Sequence, residues 1–168
     1  MLKIKAKKSL GQNFLRSRAV AAGIAETACP SGNETVLEIG PGEGALTDEL
    51  LGRAKRVVAV EKDSRLITLL REKYAREITS KKLVLAEGDA LAIDPGKIVG
   101  AHSYVGAANI PYYITGAIIR RLLEAKRKPE RIVLLVQKEV AERIVARPPA
   151  RGARAGDGKE SILSISVK

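Results

Sequence analysis

A glycine-rich loop near residue 40 has the pattern of a ligand-binding turn. Residues 36–46, Val-Leu-Glu-Ile-Gly-Pro-Gly-Glu-Gly-Ala-Leu, combine a strand pattern, three alternate glycines and the start of a helix pattern. Because they lack a side chain, Gly40, Gly42 and Gly44 let the backbone approach a ligand closely. Glu61 follows about 20 residues later, at the end of the next predicted strand, where a carboxylate can accept both hydroxyls of an adenosine ribose.

This loop does not by itself define the ligand. It also satisfies the loose dinucleotide-binding pattern, with alanine in the last place and an acid at the expected distance. A nicotinamide or flavin oxidoreductase therefore remains an alternative, and so does a glycine turn with a purely structural role.

Two later motifs narrow the choice. Asp89 follows the third predicted strand, where it could accept a hydrogen bond from an adenine amino group, although a helix cap is the alternative. Asn109-Ile-Pro-Tyr112 stands where the fourth predicted strand ends. In an open α/β sheet, ligands bind outside the carboxyl ends of the strands, so all of these motifs are predicted to converge on one crevice.

The chemistry of Asn109-Ile-Pro-Tyr112 suits methyl transfer to an adenine amine. The lone pair of that nitrogen is delocalised into the ring, and acceptors that hold both N–H bonds would direct it towards a methyl carbon. The Asn109 side-chain oxygen and the Ile110 carbonyl can be these acceptors, while Pro111 fixes the turn. Tyr112 offers a flat face to an extruded base. A strong base is unnecessary because positioning does most of the work. The alternative is an ordinary turn followed by core tyrosines.

The elements that must position these motifs alternate between strand and helix patterns. Strands are predicted at residues 35–39, 56–60, 82–86, 104–108 and 131–136, and helices at 18–27, 46–53, 64–78, 114–126 and 139–146. This alternation predicts βαβ units and an α/β fold with a doubly wound, mainly parallel sheet. Residues 147–160 are predicted to form a flexible basic loop, and the alternation of serines with Leu163, Ile165 and Val167 then predicts a strand.

Composition favours a polyanionic partner. The 168 residues carry a net charge of +11, and residues 1–17 form a basic arm without acidic residues. Such charge favours contacts with the phosphates of a nucleic acid. Binding to an acidic membrane surface, or simply a contribution to solubility, are the alternatives.

Cys29 cannot form an internal disulfide and is expected to be a small buried or helix-end residue. His102 is the only histidine and is expected in a surface loop, and no metal site is predicted.

The combination of motifs resembles the ribosomal RNA adenine dimethyltransferases. The resemblance covers most of residues 8–148 and is carried by Lys8-Ser-Leu-Gly-Gln-Asn-Phe-Leu15, Glu38-Ile-Gly-Pro-Gly42, Val60-Glu-Lys-Asp63, Gly88-Asp-Ala-Leu91, Asn109-Ile-Pro-Tyr-Tyr113 and Val136-Gln-Lys-Glu-Val-Ala141. It implies the Rossmann-like fold of class I S-adenosylmethionine-dependent methyltransferases. It also implies dimethylation of adenine N6 on two adjacent adenosines of small-subunit ribosomal RNA during ribosome maturation.

The same resemblance implies roles for individual residues. Asn13 and Leu15 would cover the cofactor, Gly40 would meet its methionine part, Glu61 its ribose and Asp89 its adenine. Asn109 would lie between cofactor and target base, and Gly42 is a further cofactor-binding candidate. Candidate RNA contacts are Lys5, Lys7, Lys8, Arg120, Arg121, Lys138 and Arg143. Any one of these basic residues could instead belong to a solvated basic face.

The resemblance further implies a cytoplasmic monomer acting on small-subunit ribosomal RNA or on a pre-assembled subunit, without a membrane. Residues 1–168 would be the catalytic domain, without the helical domain that follows it in the family, and residues 160–168 would be helical. The alternatives are a non-catalytic RNA-binding assembly factor, a large-subunit ribosomal RNA adenine methylase and an NAD-dependent oxidoreductase.

Overall fold

The structure is a computed structural model that describes residues 14–145 and 160–166. Its helices are α1 (Arg18–Ala28), α2 (Ala45–Arg53), α3 (Ser64–Lys73), α4 (Ala75–Thr79), α5 (Pro95–Val99), α6 (Tyr112–Leu123) and α7 (Lys138–Val145). Its strands are β1 (Thr35–Ile39), β2 (Arg56–Glu61), β3 (Leu83–Glu87), β4 (Val105–Asn109), β5 (Arg131–Gln137) and β6 (Glu160–Ser166). Lys5, Lys7, Lys8, Asn13 and residues 147–159 of the predicted loop lie outside the described residues.

The described strands form one six-stranded sheet in the order β3-β2-β1-β4-β5-β6. Strands β1 to β5 are mutually parallel, and β6 is antiparallel to β5. The chain runs outward from β1 through β2 to β3, and then returns to the other side of β1 to form β4. The predicted doubly wound, mainly parallel sheet is therefore confirmed, with its switch point between β1 and β4.

The core lies on both faces of the sheet, because buried strand residues alternate between two helical layers. On one face, buried residues of α1, α2 and α3 pack on strand residues such as Val36 and Val57. On the other face, α6 contributes Ile118 and Leu122 against Leu37. This sandwich leaves the carboxyl ends of the strands uncovered at one edge.

Strand β6 decides between the two expectations for residues 160–168. It pairs with β5 over its whole length, from Gln137 opposite Glu160 to Arg131 opposite Ser166. The alternation of apolar residues and serines correctly predicted this strand, and the helix implied by the family resemblance is wrong. A sheet edge offers unpaired backbone groups along β5, and an added strand satisfies them.

The helix boundaries differ from the predictions in two informative places. The helix predicted at residues 64–78 is broken at Tyr74, which is both the last cap of α3 and the first cap of α4. The short helix α5 was not predicted, although Asp94 caps it by accepting a hydrogen bond from the Gly96 amide, and Pro95 opens it. No helix in residues 14–145 or 160–166 is long and apolar enough to span a membrane.

The expectations for Cys29 and His102 are confirmed. Cys29 is buried at the end of α1, where its amide caps the helix, and burial raises the pKa of its thiol to about 11. A thiol with so high a pKa is a poor nucleophile at neutral pH. His102 is exposed in the loop before β4.

Candidate active site

A cavity of about 240 Å³ opens at the carboxyl ends of β1, β2 and β4. The parallel register brings these ends to the same level, since Ile39 pairs with both Val60 and Ala108. The predicted residues that line this cavity are Gly40, Gly42, Glu61, Asp89, Asn109, Ile110 and Pro111. Residues far apart in the sequence therefore share one site, as the switch-point rule predicts.

The glycine loop borders the cavity and is held by the backbone. The Gly40 amide donates to the Val60 carbonyl at 2.9 Å, which ties the loop to β2. Gly40 and Gly42 have φ angles of 69° and 61°, a region that L side chains rarely adopt. Among the described residues, a Cβ atom on Gly40 would approach only Ile110, at 3.8 Å, which leaves space beside this glycine for a ligand.

Gly44 has a different role from the one predicted. It is not among the residues that line the cavity, and a Cβ atom on it would collide with the Tyr74 hydroxyl. The expectation that all three glycines admit a ligand is therefore wrong for Gly44. Here the absent side chain makes room for a buried tyrosine of the protein itself.

The Glu61 carboxylate is buried and held rigidly by the backbone. One oxygen accepts the amides of Lys62 and Asp63 at 2.8 and 2.9 Å, and the other accepts the Gly42 amide at 3.2 Å. A carboxylate can accept about four hydrogen bonds. One position thus remains, on the oxygen that faces Gly42, so in this arrangement the carboxylate can accept one further hydroxyl and not the two expected from the sequence.

Asp89 opens a turn beside the cavity and does not cap a helix, since the next helix is α5, capped by Asp94; its contact with an adenine amino group stays a prediction. One carboxylate oxygen accepts the Leu91 amide at 2.9 Å, as in a capping turn, and the other accepts the Lys62 ammonium at 2.7 Å. The Lys62 hydrogen bond, with help from the Leu91 amide, lowers the pKa of Asp89. Asp89 also borders the cavity, where it can accept a further hydrogen bond.

The Asn109-Ile-Pro-Tyr112 motif forms the junction between β4 and α6. Asn109 is the last residue of β4, Pro111 caps α6 with a φ angle of −56°, and Tyr112 is the first helical residue. The Pro111 carbonyl accepts the Ile114 amide at 3.2 Å and the Thr115 hydroxyl at 3.3 Å. These two hydrogen bonds fix the turn, whose residues Asn109, Ile110 and Pro111 line the cavity.

The sequence profile of the ribosomal RNA adenine dimethylase family matches residues 3–155. The chain belongs to this family. It is 45% identical over 166 residues to a ribosomal RNA small subunit methyltransferase A of Dehalococcoides mccartyi strain CBDB1, covering 98% of this chain and 53% of the relative. It is 42% identical over 151 residues to the protein of the same name from Geobacter sulfurreducens, covering 88% and 54%. The chain thus spans about half the length of these curated relatives.

Two solved methyltransferase structures have the same fold. The 23S rRNA methyltransferase ErmE superposes with a TM-score of 0.67 at 39% identity, covering 77% of this chain and 50% of that one. A dimethyladenosine transferase from Plasmodium falciparum superposes with a TM-score of 0.65 at 32% identity, covering 80% and 47%. These likenesses confirm the Rossmann-like methyltransferase fold.

Several cavity residues of this adenine dimethylase family member escaped prediction. Phe14 lines the cavity and its ring lies against Gly42, whereas the predicted Leu15 packs against the core, so a contact of Leu15 with a cofactor stays a prediction. Lys62 and Tyr113 also line the cavity, and Tyr113 is 70% exposed. Each belongs to one of the motifs that carry the family resemblance, but none of the three was assigned a role from them.

The predicted RNA contacts on α6 and α7 lie on helices that share one face of the sheet. Arg120 and Lys138 are exposed, and the Lys138 ammonium lies 3.8 Å from Glu142. The Arg121 guanidinium instead donates to the Ile93 carbonyl at 3.0 Å. Arg143 belongs to α7. The structure therefore provides a structural role for Arg121, and RNA contact by the whole set stays a prediction.

A buried carboxyl group lies beneath the glycine loop. Glu38 is 1% exposed, and one of its oxygens accepts the Thr47 hydroxyl at 2.8 Å. The other oxygen has no hydrogen-bond partner among the described residues. Burial raises the pKa of Glu38 to about 8, and the nearby charges of Asp48 and Glu61 act in the same direction. The protonated form is therefore the stable one at neutral pH.

Proposed function

We propose that this chain is the catalytic part of a ribosomal RNA adenine dimethyltransferase, which transfers methyl groups from S-adenosylmethionine to adenine N6. The observation that carries the proposal is the position of Asn109. This amide ends β4 on the wall of the same cavity as Gly40, Glu61 and Asp89. Family membership supports the methyltransferase over the dinucleotide oxidoreductase that the glycine loop alone left open.

The residues around the cavity fit S-adenosylmethionine. Gly40 leaves space beside the backbone for the methionine part, and the Glu61 carboxylate keeps one acceptor position for a ribose hydroxyl. Asp89 supplies an anionic acceptor for the adenine amino group, and Ile39, Val60 and Leu66 provide apolar walls. Bound here, S-adenosylmethionine would supply an activated methyl group on a sulfonium centre.

The target amine would be positioned by the turn after β4. The Asn109 side-chain oxygen and the Ile110 carbonyl accept its two N–H bonds, which directs the nitrogen lone pair towards the methyl carbon. Pro111, locked by two hydrogen bonds to its carbonyl, keeps this turn in place. The motif assigns to Tyr112 a face for the extruded base, and the exposed ring of Tyr113 provides an aromatic surface on the cavity wall. Positioning of this kind replaces a general base.

The small-subunit ribosomal RNA is the preferred substrate in this proposal. The curated relatives named small subunit methyltransferase A reach 48% identity, compared with 39% for the 23S rRNA methyltransferase ErmE. The net charge of +11 and the exposed Arg120 and Lys138 suit a phosphate-rich partner. We expect a monomer that acts in the cytoplasm, where ribosomal subunits mature.

The test is methyl transfer from radiolabelled S-adenosylmethionine to small ribosomal subunits that lack adenine dimethylation. Cofactor binding is measured by calorimetry in parallel. Label recovered as dimethyladenine supports the enzyme, its cofactor and its substrate together. Label in large subunits but not in small ones would redirect the proposal to the other ribosomal RNA. No binding and no transfer would contradict it.

A further inference from the structure

Lys62 connects two of the carboxylates that border the cavity. Its backbone amide donates to Glu61 at 2.8 Å, and its side-chain ammonium donates to Asp89 at 2.7 Å. The Lys62 side chain is 59% exposed and lines the cavity together with both acids. Neither the predicted site nor the proposed mechanism uses this lysine.

We propose that Lys62 is a positioning residue that orients Asp89 and gives the cavity its specificity for a 6-amino purine. This inference rests on the proposed function, because it assumes that the adenine of the cofactor binds beside Asp89. In this proposal Lys62 and Asp89 together recognise one chemical feature of adenine, its amino group next to a ring nitrogen.

The first argument concerns the freedom of the Asp89 side chain. Its side chain is 37% exposed and borders a cavity, so packing alone does not fix its rotation. The Leu91 amide holds one oxygen and the Lys62 ammonium holds the other. Removal of the ammonium would release one oxygen, and the carboxylate could then rotate away from a ligand.

The second argument concerns the pattern of donors and acceptors on the cavity wall. An ammonium has three N–H bonds and a carboxylate about four acceptor positions, so a pair joined by one hydrogen bond keeps capacity on both sides. Lys62 and Asp89 therefore present a donor beside an acceptor. Adenine offers the complementary pair, an amino N–H next to a ring-nitrogen acceptor, whereas a 6-oxo purine offers an acceptor in place of the amino group.

The third argument concerns charge. The Lys62 ammonium is the main cause of the lowered pKa of Asp89, which keeps this carboxylate ionised and acceptor-only. Asp89 in turn raises the pKa of Lys62, and the Tyr113 side chain from α6 acts on Lys62 in the same direction. A 6-oxo purine bound in the same orientation would place its oxygen against the Asp89 carboxylate and its N1–H against the Lys62 ammonium, so acceptor would face acceptor and donor would face donor.

The experiment compares two ligands by calorimetry, S-adenosylhomocysteine and its deaminated counterpart S-inosylhomocysteine. We expect the natural chain to prefer the adenine ligand, and Lys62→Met to weaken its binding about fivefold and to reduce the preference. Lys62→Arg should restore most of both because it keeps the cation. Arg53→Met is the control, because it removes a 2.8 Å ion pair with Glu49 outside the cavity lining.

A pH series separates positioning from a merely structural effect. Asp89 must be ionised to accept the amino group, so affinity should fall as the pH drops through its pKa. In Lys62→Met the cation that lowers the pKa of Asp89 is missing, so the fall in affinity should begin at a higher pH. Lys62→Gln is a second neutral variant, for which we expect the same result. Unchanged affinity, preference and pH profile in both variants would overturn the inference. Failure of the natural chain to bind S-adenosylhomocysteine would instead contradict the proposed function.

Discussion

The hydroxyl of Tyr74 lies in the space that a side chain on Gly44 would occupy. It is 2.8 Å from the Gly44 carbonyl oxygen and 2.7 Å from the Asp48 carboxylate. Tyr74 belongs to the break between α3 and α4, and Gly44 caps α2 with a φ angle of 88°. The end of the glycine loop is thus hydrogen-bonded to the junction of α3 and α4, 30 residues further along the chain.

Gly44→Ala should destabilise the fold by about 1–3 kcal/mol, because it adds a collision to an unfavourable φ angle. Gly52→Ala is the matched control: a Cβ atom there would meet none of the residues that the structure describes within 4 Å, and we expect the change to be neutral or slightly stabilising. Denaturant unfolding measures both. The double variant Gly44→Ala/Tyr74→Phe should lose less stability than the sum of the losses in the two single variants, because removal of the hydroxyl relieves the collision. Strict additivity would contradict the contact.

Glu38 should make the stability of the protein depend on pH. Burial raises its pKa from 4.5 to about 8, so between these values the folded chain holds a proton that the unfolded chain has lost. The stability contributed by this group is therefore present below pH 4.5, falls as the pH rises towards 8, and is constant above it. Glu38→Gln should remove this part of the pH dependence. The melting temperature of Glu38→Gln minus that of the natural chain should therefore increase from pH 5 to pH 8. The exposed Glu72→Gln is the control, and parallel curves for Glu38→Gln and the natural chain would refute the prediction.

Asn109→Ala should reduce methyl transfer by about 100-fold, because one acceptor for the target amine is lost. The dissociation constant of the cofactor should change by less than about tenfold, since Gly40, Glu61 and Asp89 remain. Single-turnover transfer and calorimetry measure the two quantities. Asn33→Ala is the control, because Asn33 is exposed and does not line the cavity. Unchanged transfer by Asn109→Ala would remove Asn109 from the reaction.

The basic residues of α6 should differ in their effects on RNA binding. Arg120 is exposed, so Arg120→Ala should weaken RNA binding and lower the slope of log affinity against log salt by about one unit. Arg121 donates to the Ile93 carbonyl, so Arg121→Ala should mainly lower the melting temperature. Filter binding over a salt series and thermal denaturation check both. Equal salt slopes for the natural chain and Arg120→Ala would exclude a phosphate contact at Arg120.

Local patterns were sufficient for most of the sheet and for the predicted cavity residues. The apolar runs of β1 to β5 and the position of each motif after a strand follow from backbone preferences and burial, which act over a few residues. Parallel pairing then brings Gly40, Glu61, Asp89 and Asn109 together by geometry alone. For residues 160–166, the alternating pattern likewise predicted the strand correctly, whereas the family resemblance implied a helix.

Only the tertiary structure decided features that depend on partners distant in the sequence. Tyr74 ends α3 within a helical pattern and bonds to the Gly44 carbonyl, and no local preference at Tyr74 indicates this. The residues of the Lys62–Asp89 ion pair are 27 positions apart in the sequence, and the parallel pairing of β2 with β3 brings them together. Sequence thus determined which groups reach the edge of the sheet, because periodicity and turn chemistry are local. Which of them touch one another was decided by packing, because contacts depend on side-chain shape across the whole core.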